Sequence, residues 1–165
     1  MTHPDLTTLD PSLIEQQVGG CKTALTSRYG TIDDFASPYG ATDATTLPII
    51  SKYFNSQRNT NGDPTNGVSD ADVNVANKFD RYNIIGVTVR HDTTVQQLQE
   101  LVDYAKKTNG WLVLTYHQAD DGTGSQFSVR PSNIDEQFAY LSSTNVRIVT
   151  MHDALAATRL QNVEY

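Results

Sequence analysis

Two short stretches carry the residue types best suited to chemistry. Phe35-Ala36-Ser37-Pro38-Tyr39-Gly40 is a turn built on Pro and Gly directly after a strand-like segment, and His117 ends the apolar run Trp111-Leu112-Val113-Leu114-Thr115-Tyr116. Enzymes of the α/β class gather reacting groups at one end of a sheet, and a turn or a His just past a strand lies there. An imidazole titrates near neutral pH, so at a strand end it can serve as a proton donor or acceptor. The plainer reading of His117 is a residue that only caps the strand. The plain reading of Tyr39 is a Pro-Tyr-Gly turn whose ring covers the core. His91-Asp92 and His152-Asp153 stand at expected helix starts, where the helix dipole favours Asp, so capping is the reading taken for both.

Other chemistries find no pattern. Asp70-x-Asp72-x-Asn74 begins like a calcium-binding loop, but its sixth and twelfth positions are Val75 and Arg81, where Gly and Glu are required. No Gly-x-Ser-x-Gly elbow for a nucleophilic serine occurs, and no Gly-rich phosphate loop. A net charge of -7 over 165 residues opposes binding to nucleic acid or to an anionic membrane, whereas an uncharged sugar polymer meets no such field. Cys21 is the only cysteine, so no intrachain disulfide forms, and its place on a helical stripe predicts a small buried hydrophobe. No apolar run approaches the roughly 20 residues of a membrane span, and residues 1–5 lack the basic and apolar regions of a signal peptide, so the chain as it stands is expected to be soluble and unexported.

The elements that must position these residues alternate between helix and strand from end to end, which predicts one α/β domain over residues 1–165 with a largely parallel sheet. Asp10 and Pro11 open a helix with Ile14, Val18, Cys21 and Leu25 inward. Residues 31–36 form a strand delivering the Phe35–Gly40 turn, and Thr45–Phe54 a helix with Pro48 in its first turn. Asn55–Asp80, rich in Asn, Asp, Gly and Thr, predicts a long surface loop with at most one short strand. A strand over Tyr82–Val89 follows, then a helix capped by Thr93 or Thr94 with Val95, Leu98, Val102 and Ala105 inward, closed by Gly110. The apolar strand 111–116 is expected to be covered on both faces. After a polar loop at Asp120–Ser125 come a helix capped by Ser132 with Ile134, Phe138 and Leu141 on one face, a strand over Val146–Val149 and a helix over Met151–Leu160.

Several pieces, taken in order, resemble the polysaccharide deacetylase family, also called the NodB homology domain. Thr2-His3-Pro4-Asp5-Leu6 is similar to the end of that family's second motif, His-Ser/Thr-x-x-His. Phe35–Gly40 is similar to its third motif, Arg-x-Pro-Tyr/Phe-Gly, with Ala36 where the usual Arg stands. Trp111–His117, then Phe127-Ser128-Val129, Phe138, Leu141 and Val149-Thr150, resemble its ending. Thr31-Ile32-Asp33-Asp34 is spelled almost like the first motif, Thr-Phe-Asp-Asp-Gly, but Phe35 stands at the required Gly and the segment already leads into the third motif.

The resemblance implies a partial, distorted (β/α) barrel in which the first motif and half of the second lie upstream of Met1, so that the chain is the C-terminal part of such a catalytic domain. It implies hydrolysis of N- or O-acetyl groups on a carbohydrate polymer of the chitin, peptidoglycan or xylan type. His3 would be a ligand to a divalent metal, zinc above all, which this chain alone is expected to hold poorly. Tyr39 would give its N–H to the oxyanion and His117 would protonate the leaving group. Pro38, Tyr39 and Trp111 would line the sugar groove. The missing Arg at Ala36 would leave the catalytic base less well positioned. The implied partners are an acetylated glycan, neither nucleic acid nor membrane, and a second copy through the incomplete barrel. The implied parent protein is secreted or bound to the cell envelope. Two other readings are a carbohydrate-binding module without catalysis and a truncated fragment without a role of its own.

Overall fold

In the computed structural model the backbone is described for residues 2–76 and 78–161, and side chains as far as residue 157. The described elements mix helix and strand and divide into two compact units, one of Met1–Thr60 with Phe79–Ile84, the other of Asn61–Lys78 with Ile85–Tyr165. Among the described residues no helix is long and apolar enough to cross a membrane, and the strands form four two-stranded pairs without a closed barrel.

The first unit is organised by α1 (Pro11–Tyr29) and α2 (Thr46–Tyr53). As expected, Asp10 is the N-cap of α1 and Pro11 its first residue; the Asp10 carbonyl, not its carboxylate, takes the first N–H groups, from Leu13 and Ile14. Ile14 and Val18 are buried, and with Leu6, Ile49, Ile50 and Phe54 they form the core of this unit. Each such aliphatic side chain contributes about 1.5–3 kcal/mol by leaving water. Cys21 and Leu25 are only half-buried, so Cys21 is not the buried hydrophobe its stripe suggests. α1 and α2 approach closely at Gly19, where a Cβ would lie 2.9 Å from the Tyr53 ring. The Tyr53 hydroxyl donates to Glu15, and Lys52 reaches the same carboxylate at 3.0 Å.

β1 (Asp34–Ala36) pairs in parallel with β2 (Ser56–Arg58), in the register Asp34–Ser56, Phe35–Gln57 and Ala36–Arg58. A bridge from Arg58 to Ile84 and the bonds Gln57 N–H to Arg81 carbonyl and Asn59 N–H to Ile84 carbonyl pair β2 on its other side. The stretch expected to be a surface loop therefore begins with an internal strand whose polar Ser56, Gln57 and Asn59 are almost wholly buried. Ladder bonds, not apolar side chains, hold it, which is why periodicity did not reveal it.

In the second unit β3 (Asn74–Val75) pairs antiparallel with β5 (Gly110–Trp111), while β4 (Val87–Thr88) with β6 (Leu114–Thr115) and β7 (Gln118–Ala119) with β8 (Ser128–Val129) are parallel. α3 (Val95–Thr108) starts in a capping box: the Thr94 hydroxyl accepts from Gln97 N–H, and the Gln97 side chain accepts from Thr94 N–H. Thr94 is thus the cap, and Leu98, Leu101, Val102 and Ala105 point into the core. The helix ends at Asn109, with φ 50°, instead of at Gly110. Gly110 serves close packing, since a Cβ there would lie 2.6 Å from Val73 Cγ1.

α4 (Pro131–Ser143) begins one residue before its expected cap, with Pro131 at the first position and Ser132 inside the first turn. Its buried residue is Gln137, which accepts from the Tyr116 hydroxyl at 2.9 Å and donates to the Thr93 carbonyl at 2.8 Å. Phe138 is half exposed. Of the two expected strands, Tyr82–Val89 contains only β4, and Val146–Val149 forms none. Ile148 and Val149 of that segment are exposed, before α5 (Met151–Gln161) closes the described chain. The run 111–116 is split between β5 and β6, and all six residues are half-buried. Its expected covering on both faces is absent, and it borders an open groove instead.

Candidate functional site

The Pro-Tyr-Gly turn of the first unit is held by the end of β2. Ser37 N–H donates to the Arg58 carbonyl, and the Gln57 amide donates to the buried Ser37 hydroxyl at 2.9 Å. Gly40 N–H returns to the Ser37 carbonyl and Ala41 N–H to the Pro38 carbonyl. Pro38 supplies a fixed negative φ at the start of this tight turn, after which Tyr39 takes φ 58° and ψ 8°. Gly40 is required twice, by its φ of 70° and because a Cβ there would lie 2.6 Å from the Thr60 N.

A left-handed conformation costs a non-glycine residue about 1–2 kcal/mol, so the surrounding bonds force Tyr39 into it. Its ring is 69 % exposed. Its carbonyl accepts from the Thr60 hydroxyl at 3.4 Å, and among the described residues its N–H is not engaged as a donor. The ring of His3 stands edge-on to that of Tyr39, 4.9 Å between centroids. His3 is placed by the next residues: Asp5 caps a short 3-10 turn over Leu6–Thr8, and Leu6 is buried in the core. Two of the expected site residues, 36 positions apart, therefore meet on one surface of the first unit.

His117 and Trp111 belong to the second unit. His117 follows β6 and precedes β7, exposed, its ring 5.0 Å from that of Phe127. The loop behind it is tied at Asp120, which accepts from Gly122 N–H and from the Ser128 hydroxyl. Trp111 lines a groove of about 630 Å³ together with Leu112, Leu114, Tyr116, Phe138 and Ile148. His117 is not among the residues lining it. Burial pushes the Tyr116 phenol up to about 12, so near neutral pH its hydroxyl remains a donor.

Arg58 escaped the sequence reading. Ser56-Gln57-Arg58-Asn59 has no β-branched or aromatic residue to mark a strand, and the turn-forming residues around it pointed to a loop. The register places Arg58 opposite Ala36, and burial lowers its pKa from the ordinary arginine value.

An open catalytic zinc site normally draws three ligands from the protein. Among the described residues no group of three or more His, Cys, Asp or Glu side chains is arranged to hold a metal ion. The described residues thus supply His3 at most, and they do not fit a zinc site by themselves.

No family model matches the chain, and no curated protein matches it. A solved polysaccharide deacetylase from Bacillus cereus is similar to it at 23% sequence identity with a TM-score of 0.48, over 61% of this chain and 29% of that one. The chain spans less than a third of that structure's length.

Proposed function

We propose that the chain is the C-terminal portion of a polysaccharide deacetylase domain, a partial (β/α) barrel of the NodB type acting on acetyl groups of a carbohydrate polymer. The observation that carries this reading is Tyr39: a bulky residue kept at positive φ, with an N–H unengaged among the described residues, inside the Pro-Tyr-Gly sequence that resembles the family's third motif. Backbone strain of this kind concentrates at functional sites. In the reaction a water adds to the acyl carbon, the charge that develops on the carbonyl oxygen is stabilised by the Tyr39 N–H, and His117 gives a proton to the departing amine or hydroxyl. Pro38, Tyr39 and Trp111 contact the glycan. Zinc and the base belong to this reading as groups that the described residues do not complete, so the isolated chain is expected to be impaired.

Acetate release from an acetylated chito-oligosaccharide, followed with added zinc, tests it. Slow release that falls further in His117→Ala supports the assignment, and release unaffected by that substitution removes His117 from it. Release at an ordinary enzymatic rate would overturn the impairment alone.

The exposed Tyr39 ring favours a second reading, a glycan-binding module without catalysis. Equal glycan affinity with and without chelator, lost in Tyr39→Ala, is its signature.

A further inference from the structure

Because β1 and β2 are in register, Asp34, Ala36, Ser56 and Arg58 share one face of the pair, and Phe35 and Gln57 the other. Phe35 packs on the core of the unit. On the opposite face Asp34 accepts from the Ser56 hydroxyl at 2.7 Å, and Arg58 stands beside the methyl group of Ala36. The guanidinium is half-buried, and desolvation alone lowers its pKa. Among the described residues its one hydrogen bond runs from Nη1 to the Asn59 carbonyl at 3.2 Å, and the ion pairs are Lys22–Asp33 and Lys52–Glu15. A guanidinium drawn out of water without a counter-charge is unfavourable, and an arriving anion offsets that penalty. Its planar fork of donors matches a carboxylate, which takes two parallel bonds from it.

We propose that Arg58 is the receptor for a carboxylate, at the end of β2 beside the Pro-Tyr-Gly turn. The Arg58 carbonyl accepts from Ser37 N–H, and the hydroxyl of Thr60, two residues on, donates to the Tyr39 carbonyl, so the strand end that carries Arg58 adjoins the turn. The net charge of -7 repels anions at a distance, but salt screens that field beyond about 8 Å, so the site selects carboxylates that make direct contact. The carboxylate has two chemical sources, a small acid such as acetate or the acidic group of a uronic sugar. The inference adds a charged ligand to the proposed reaction: the neutral acetylated glycan offers Arg58 no anion, whereas released acetate or an acidic sugar does.

Titration of the ¹⁵N-labelled full chain with sodium acetate, and separately with digalacturonate, decides it. Both are compared with sodium chloride at constant ionic strength, through the amide signals of Ser37, Tyr39 and Gly40 and the arginine Nε–H signals. Saturable shifts with a carboxylate and none with chloride are expected, a comparison that needs no variant. Arg58→Gln should weaken binding by roughly tenfold or more, as loss of a charge-assisted pair implies, and Arg58→Lys by less. Tighter binding of digalacturonate assigns the site to an acidic sugar, and equal affinities assign it to a small acid. The absence of saturable shifts with both, or undiminished affinity in a folded Arg58→Gln chain, overturns the proposal.

Discussion

At Tyr39 conformation and chemistry are separable, because glycine meets the φ of 58° without penalty and a β-branched residue meets it worst. Relief of a strain of about 1–2 kcal/mol in Tyr39→Gly is partly offset by the greater freedom of glycine in the unfolded chain. The expected result is a stability unchanged or raised by up to about 1 kcal/mol, whereas Tyr39→Val should lose about 1–2 kcal/mol. Urea midpoints for the three proteins test the order, and a valine variant as stable as the glycine one would show that the turn is not strained. The same Tyr39→Gly chain should lose glycan binding with the ring. Tyr39 and His3 were legible as residues because Pro, Gly and His mark their positions in the sequence, but their ring contact depends on the fold. Arg58 was not legible, since its significance lies in the register that sets it opposite Ala36 and in its half-burial.

Among the elements, the starts of α1 and α3 and part of their buried faces were legible because each carries both a start signal and an apolar stripe, although Cys21 and Leu25 of α1 are only half-buried and the buried Leu101 of α3 was not anticipated. Removing the hydroxyl in Thr94→Ala leaves the Gln97 N–H without its cap and should cost about 1 kcal/mol in urea unfolding. α2 starts where expected, with Thr45 as its N-cap, but the bonds that fix that start were not legible. Asp43, three residues before Thr46, accepts from the N–H groups of Thr45 and Thr46, and the Thr46 hydroxyl accepts from the Asp43 N–H at 2.8 Å. These bonds, above all the one from Thr46 N–H, hold the Asp43 carboxyl below its ordinary value. A carboxylate whose pKa is lower folded than unfolded stabilises the fold above the unfolded value and loses that contribution as pH falls through the folded one. Asp43→Asn keeps the acceptor but not the charge, so wild type should exceed it in stability at pH 7 and the gap should be smaller at about pH 3, below the unfolded value of about 3.9. Denaturation midpoints at both pH values check this, and a gap that widens on acidification would refute it. The segments 111–116 and Val146–Val149 were read less well, because a continuous apolar run states that a chain avoids water and leaves open what covers it.

At the scale of the whole molecule, the apolar groove of the second unit bears on how the chain behaves in solution. Trp111, Leu112 and Phe138 line it, together with the exposed Ile148 and Val149 of the segment before α5. Among the described residues that segment joins no strand pair. Apolar area that stays in water and main-chain groups without a ladder both favour association with a like surface. The expected outcome is reversible, concentration-dependent self-association, seen by sedimentation velocity. Trp111 is the only tryptophan, so its emission reports this groove and should move to shorter wavelength as the chain associates. Ile148→Glu places a charge on the exposed border and should restore a monomer with emission independent of concentration. Association that persists in that variant, or a wild-type monomer at every concentration, would show that the groove does not drive contact between copies.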